Sequence, residues 1–432
     1  MSTSEMDNLA SLLSASNSRR VWLRVGTLLD GGSAHPLQNA HIVYDQSQIL
    51  FVGATSPPRD LLRIDQHAPD VDLPEYALLP GLIEAHAHLF LEGGELDPAK
   101  RAAYLKQPRG ELLNLARPRL EKLVRLGIIA VRDAGDKDGV GIALSRLSAS
   151  TDHPLMPYVD SPGAAIHHRG RYGSFMAESI EEFASAQECV EARVKAGADR
   201  IKLIPTGIIN FKKGAVTTEP QMTTEEIREL IAAAASFGKQ TLAHASGDAG
   251  IERAIEGGVD TIEHGFFVRP DQLAKMRDRQ IAWVPTFAPV QRQIDYASWM
   301  GWDEEVASNL RRVLDQHAET LLRAHEMGVA IIAGSDAGSY GVEHGLGFLY
   351  ELVLMERAGL SPLAVIHAAT GASSNRLAFK EKFGQIKAGF RSRFLLTRHS
   401  PLDGIDNLSK PRFVIFDGAV SKSDETAEVA GL

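Results

Sequence analysis

Fifteen histidines are spread along the 432 residues, and several fall where an apolar run ends. His86 and His88 close one such run, His244 another and His264 a third, while Asp336 closes a fourth and Lys202 lies inside a fifth. One histidine at a strand end is more often a satisfied polar residue than a ligand. His-x-His is more specific, because the two-residue period of a strand turns both imidazoles to one face, within reach of one cation. Lys202 in an apolar strand is unusual as well, since a bare ammonium loses its hydration there. Imidazoles and a carboxylate are metal-ligand chemistry, and their repeated placement at strand ends calls for a fold that gathers such ends together.

The elements that would position them alternate. Strand candidates cover 77–89, 127–135, 155–163, 199–207, 240–245, 260–265, 281–287 and 329–338. Helical patterns lie between most of them, including 179–197 and 223–238, the second opening with Thr223 and Glu226 at capping-box spacing. Helix, glycine and strand follow one another at Gly127, Gly197, Gly258 and Gly328. Eight strands in this order fit a (β/α)₈ TIM barrel, whose strand C-termini converge on one mouth. Short apolar runs broken by Gly, Pro and Asp occur at both ends of the chain. They predict a small β-sandwich domain made of 21–76 and 385–425, around a barrel of 77–384 and after a flexible tail of 1–20.

Composition narrows the class. The chain is 44% hydrophobic with a net charge of −9, and no basic run suggests nucleic acid or an anionic membrane. Cys189 is the single cysteine, so an intrachain disulfide is excluded and a reducing, cytoplasmic setting is expected. No membrane-length apolar stretch occurs. A small-molecule substrate and a homo-oligomer are the expected partners.

The motifs PGLIEAHAHLF, LAHA, IEHG and AGSDAG, with the strand-borne Lys202, resemble the metal-site motifs of the amidohydrolase superfamily. More narrowly, the chain is similar to its binuclear Xaa-Pro dipeptidase and arginine/lysine carboxypeptidase branch, related to imidazolonepropionase. The resemblance runs over about residues 22–420. It implies two divalent metal ions, zinc by donor type. His86, His88 and Asp336 would hold one ion and His244 and His264 the other, with Lys202 carboxylated as N6-carboxylysine and bridging both. It also implies a metal-bridging hydroxide as nucleophile, Asp336 as proton shuttle, and His168 as the catalytic group bonded to the substrate oxygen, with His167 competing for that place. His344 would lie near the substrate.

Departures from the family pattern bear on the substrate. Val290 stands where relatives carry a tyrosine that holds a carboxylate, with Arg292 and Tyr296 beyond it; Ile208 and Ile209 replace paired glycines. A more apolar pocket is expected, and an amide substrate that is hydrophobic rather than a free dipeptide. Arg393 replaces an aspartate far from the metals. His317, His325, His367 and His399 are read as structural, and Thr286 as packing. Ester, lactone or carbamate hydrolysis is the alternative on the same site. A deaminase is disfavoured by the bridging lysine, and a non-catalytic scaffold by the complete ligand set.

Overall fold

The computed structural model describes residues 3–136, 138–150 and 155–423. Residues 1–2 of the expected tail and 424–425 of the expected β domain lie outside the described residues.

Seven parallel strands line the barrel: Leu82–Ala87, Ile128–Asp133, Tyr158–Asp160, Ile201–Leu203, Thr241–Ala245, Thr261–His264 and Ala282–Val284. They form one group of three and one of four. Single bridges complete the ring. Ile166 pairs with Leu203, joining the third staff to the fourth. Ile331 pairs with Trp283 and Ala337 with Ala87, so the eighth staff closes the barrel with two bridges instead of a continuous strand. The Gly334-Ser335 step explains part of this. A Cβ on Gly334 would lie 2.6 Å from a Val284 methyl and 2.9 Å from the His86 backbone nitrogen, so the eighth staff presses against its neighbours where only glycine fits.

Helices follow the staves, among them Arg109–Arg125, Val140–Ser148, Ala186–Ala196, Thr224–Ser236, Asp248–Gly257, Pro270–Asp278, Glu304–Glu326 and Leu346–Arg357. The capping box of Thr223 and Glu226 is formed on both sides, by a 3.2 Å and a 2.8 Å hydrogen bond. The helix expected from 179 starts later. Ser185 caps it by accepting from the Glu188 amide, and Ile180–Glu182 is a separate 3₁₀ turn.

The apolar run 77–89 is two strands. Val71–Pro80 belongs to a seven-stranded mixed sheet, and the barrel strand begins only after Gly81, whose missing Cβ lets Ile129 approach. The mixed sheet joins Val21–Leu28, Leu37–Tyr44, Ile49–Gly53 and Val71–Pro80 to the C-terminal strands Arg393–Thr397, Arg412–Phe416 and Ala419–Ser423. It folds over on itself. Tyr44 and Phe394 have two strands between them in the sheet, yet their rings meet edge to face at 4.9 Å, and the Ile49 amide donates to the Phe390 carbonyl.

The expected loose tail is instead a helix, Thr3–Leu13, and its apolar side explains why. Met6, Leu9 and Leu13 repeat at helical spacing and are buried in the core of the mixed sheet, and the Tyr44 hydroxyl donates to the Leu13 carbonyl. Leu13→Ala is therefore expected to destabilise the protein by ~2–5 kcal/mol, as deletion of a fully buried leucine does. Urea unfolding checks this; a change near zero would return the segment to a tail. Among the described residues, no helix is long and apolar enough to cross a membrane.

Candidate metal centre

The first staff delivers His86 and His88 to one mouth, and the eighth delivers Asp336. Their candidate ligand atoms all lie within 4.8 Å of one another. An Asp336 carboxylate oxygen stands 3.5 Å from His86 Nε2 and 3.6 Å from His88 Nε2. The backbone secures this meeting. Asp336 N–H donates to the His86 carbonyl, and His88 N–H donates to the Ala337 carbonyl.

The hydrogen bonds behind the rings fix which nitrogen is free. His88 Nδ1 is 3.0 Å from the Gly135 carbonyl, which only accepts, so Nδ1 carries the proton and Nε2 keeps its lone pair. His86 Nδ1 lies 2.5 Å from Glu263, a carboxylate that is itself paired to Arg132 at 2.8 Å. Thr261 also donates to Glu263, and Arg132 Nε donates to the Ala85 carbonyl. This buried network holds the His86 ring, and among the described residues Nε2 has no hydrogen-bond partner. A buried, unpaired imidazole nitrogen aimed at a carboxylate and a second imidazole is costly unless something binds there. Burial first, and then the positive charge of Lys202, hold both imidazoles well below the ordinary histidine range. Neutral imidazole is the form that ligates metal.

His264 and His244 complete the mouth. Their ring centres are 4.5 Å apart, and His264 is 5.1 Å from His86. His264 Nδ1 contacts the Thr286 hydroxyl at 2.8 Å, so the residue read as packing orients a candidate ligand. His244 Nε2 makes a long 3.4 Å contact to the Gly207 carbonyl, which leaves Nδ1 as its lone-pair nitrogen. Lys202 is 1% exposed, and burial lowers its ammonium pKa to about 8, against the opposing pull of Asp336, Glu263 and Asp133.

His264, Thr286 and Asp336 also share a backbone peculiarity. They are three of the eight described non-glycine residues with positive φ, at 68°, 51° and 55°, and each ends a barrel staff. Such conformations cost free energy and concentrate at functional sites.

Other expected site residues are engaged elsewhere. His168 Nδ1 is 2.7 Å from Glu181, and its Nε2 lies 3.1 Å from Glu226, off the line that a hydrogen bond needs. The two carboxylates hold the ring between them. His167 is buried with Nδ1 on the His168 carbonyl and Nε2 on the Ala177 carbonyl; it fastens the loop after the third staff. His344 Nε2 donates to the His88 carbonyl at 3.0 Å and so buttresses a candidate ligand instead of facing substrate. Val290 is 1% exposed and packed in the barrel's hydrophobic core. Arg292 is paired to Asp295 at 2.9 Å through one nitrogen and lies 3.9 Å over the Tyr350 ring. Ile209 is buried, whereas Ile208 is open in the loop after the fourth staff.

Glu263 was missed in the sequence although it precedes His264 directly. Strict alternation would put the two on opposite faces, but His264 at φ 68° breaks it, and both side chains reach His86, which a pattern search passes over. Arg132, on another staff, carries no local signal at all. Arg393 pairs with Asp417, at 3.0 and 2.7 Å, so a carboxylate from the turn after the neighbouring strand partners it. His317, bonded to the Pro285 carbonyl and stacked on Phe266 at 4.2 Å, is structural.

Comparison with known proteins agrees with this architecture. The ochratoxinase of Aspergillus niger is 25% identical over 427 residues, which cover 93% of this chain and 86% of that protein. A crystal structure of a Xaa-Pro dipeptidase with methionine bound in its active site superposes with a TM-score of 0.77 at 26% identity, covering 94% of this chain and all of that one. A putative prolidase from Bifidobacterium longum superposes with a TM-score of 0.76 at 25% identity, over 95% of this chain and 97% of that one. Residues 77–422 match the Amidohydrolase family, and with the buried His86–His88–Asp336 cluster at the barrel mouth the chain belongs to that family of metal-dependent hydrolases.

Proposed function

We propose that this enzyme hydrolyses the amide C–N bond of a small substrate with a bulky apolar acyl or amine group, using two divalent metal ions. The observation that carries the reading is the unpartnered His86 Nε2, buried against His88 and Asp336. His86, His88 and Asp336 would hold one ion, His244 and His264 the second, with Lys202 carboxylated between them. The mixed imidazole and oxygen donors favour zinc. Bound there, the ions would lower the pKa of water and polarise a carbonyl. Asp336 would take the proton of the attacking water and return it to the leaving amine. We also propose a cytoplasmic setting, supported by the free, buried thiol of Cys189, and a homo-oligomer.

The preference for apolar groups rests on what surrounds the mouth. Ile208 and Phe175, in loops that follow the fourth and third staves, are 46% and 38% exposed. The candidates for gripping a carboxylate, Arg292 and His344, are held by Asp295 and Tyr350 and by the His88 backbone. A buried aromatic or branched group gains ~1.5–3 kcal/mol from desolvation, which is ~10–100-fold in kcat/KM if it is realised in the transition state. A screen of the metal-loaded enzyme over N-acyl amino acids, dipeptides, aryl amides, carbamates and lactones is expected to rank bulky apolar amides above free dipeptides by that margin. Arg292→Ala should leave the ranking unchanged. Dipeptides in first place, with their turnover selectively lost in Arg292→Ala, would restore a carboxypeptidase-like reading. Carbamates or lactones in first place would point to the alternative chemistry.

A further inference from the structure

We propose that Tyr172 is the residue whose hydroxyl donates a hydrogen bond to the substrate's carbonyl oxygen as that oxygen gains negative charge; the inference rests on the amide-hydrolase reading above. Hydrolysis of a carbonyl compound places charge on that oxygen, and a fixed donor aimed at it stabilises the transition state more than the ground state. His167 and His168 were expected to supply such a donor, but His167 has both ring nitrogens on loop carbonyls, and His168 is held between Glu181 and Glu226.

The same loop brings another donor inward. Tyr172 packs its ring against His244, with centres 5.1 Å apart, and meets Phe175 edge to face at 5.8 Å. It is only partly covered, and no hydrogen bond to its hydroxyl occurs among the described residues. A phenol beside a candidate metal ligand, with a free O–H, is unusual for a residue that serves packing alone. The loop is shaped to hold it there. His167 is bonded at both nitrogens to loop carbonyls, and Gln221 donates to the Tyr172 carbonyl at 3.0 Å. Gly173 has φ +109°, and a Cβ there would lie 2.6 Å from Ile204 and 3.0 Å from His167 Cβ, so glycine is needed for the close approach. A phenol keeps its proton at neutral pH. The step asks nothing more of it: the O–H remains bonded to Tyr172 while water adds to the carbonyl carbon and the amine departs with a proton.

Tyr172→Phe removes the hydroxyl and keeps the ring against His244. Removing one such donor is expected to lower kcat by ~10²–10³-fold, with KM changed only slightly. Metal content and the unfolding midpoint should match the wild type. A second readout does not depend on turnover. Phenylphosphonate, whose anionic tetrahedral oxygens mimic the addition intermediate, should bind the metal-loaded variant at least about tenfold more weakly than the wild type, the factor that a hydrogen bond worth ~1.4 kcal/mol carries. Equal kcat and equal phosphonate affinity in the two proteins would overturn the role of Tyr172 while leaving the amide-hydrolase reading intact. A rise in KM alone would make Tyr172 a wall of the pocket and would also overturn it. If the wild type cleaves no amide, that reading fails, and the phosphonate comparison still decides whether the hydroxyl serves an oxyanion.

Discussion

Asp336→Asn is expected to lower kcat by about 10²–10⁴-fold, the usual contribution of a positioned general base, while substrate still binds. The substitution is chosen for its backbone. Asp336 sits at φ 55°, and asparagine tolerates that left-handed region better than alanine would, so the variant should keep the fold of the eighth staff. What it loses is basicity. In the protein without metal, burial raises the Asp336 carboxyl to about 6, and the Ser339 hydroxyl, 2.8 Å from Oδ2, and Lys202 pull it back down. A cation beside the carboxylate favours the ionised form, so in the loaded enzyme the acid limb of kcat should lie at or below about pH 6. The base is present above that limb, and activity falls as pH drops through it. Asp336→Asn should flatten the limb along with the rate. Because Asp336 also stands 3.5 and 3.6 Å from the two imidazoles, metal content must be measured in the same samples. Near-normal turnover with full metal would remove Asp336 from proton transfer. Loss of metal in parallel with loss of rate would make it a ligand only.

The parts of this site that were legible in the sequence are those with a short repeat. His86 and His88 announce themselves because a strand's period is two, and Asp336 stands out after the glycine-serine step of its strand. Gathering these ends at one mouth follows from the alternation of strands and helices. Three things were hidden, for physical reasons. The apolar run 77–89 reads as one strand because hydrophobicity continues through Pro80 and Gly81, although the tight approach of Ile129 marks the junction between sheet and barrel. The helix Thr3–Leu13 is masked by its serines and polar residues. Its three buried positions, Met6, Leu9 and Leu13, gain their meaning only from the sheet they cover. The loop after the third staff misled most. Adjacent histidines suggest chemistry, yet His167 is taken by backbone carbonyls and His168 by Glu181 and Glu226, partners up to 58 residues away in sequence. Composition shows which groups a loop owns, and tertiary structure decides which of them remain unspent.

Lys202→Met is expected to cost more than the ~10–100-fold that even an outer-shell change costs a metal site, and to lower the metal content from two ions per chain. An ammonium cannot ligate a cation, so in the proposed centre Lys202 would act after its nitrogen attacks CO₂, forming an N–C bond, releasing a proton and presenting a carbamate whose single negative charge is shared over two oxygens. That reaction needs the neutral amine. Burial lowers the Lys202 pKa from 10.5 to about 8, so about a tenth of the side chains are neutral at pH 7, against a few in ten thousand for a solvated lysine. Deprotonation rises with pH and is essentially complete above the lowered pKa. Reconstitution of the metal-free enzyme should therefore accelerate as pH increases toward about 8 at fixed dissolved CO₂, level off beyond it, and slow when CO₂ is stripped. Enzyme reconstituted with ¹³CO₂ should show a carbamate carbon by NMR that Lys202→Met lacks. Methionine has nearly the length of lysine and is at home in an apolar strand, so the variant should fold. Two ions per chain and full activity in Lys202→Met, or no carbamate carbon in the active wild type, would remove the carboxylated lysine and leave the five other candidate ligands to hold the metals.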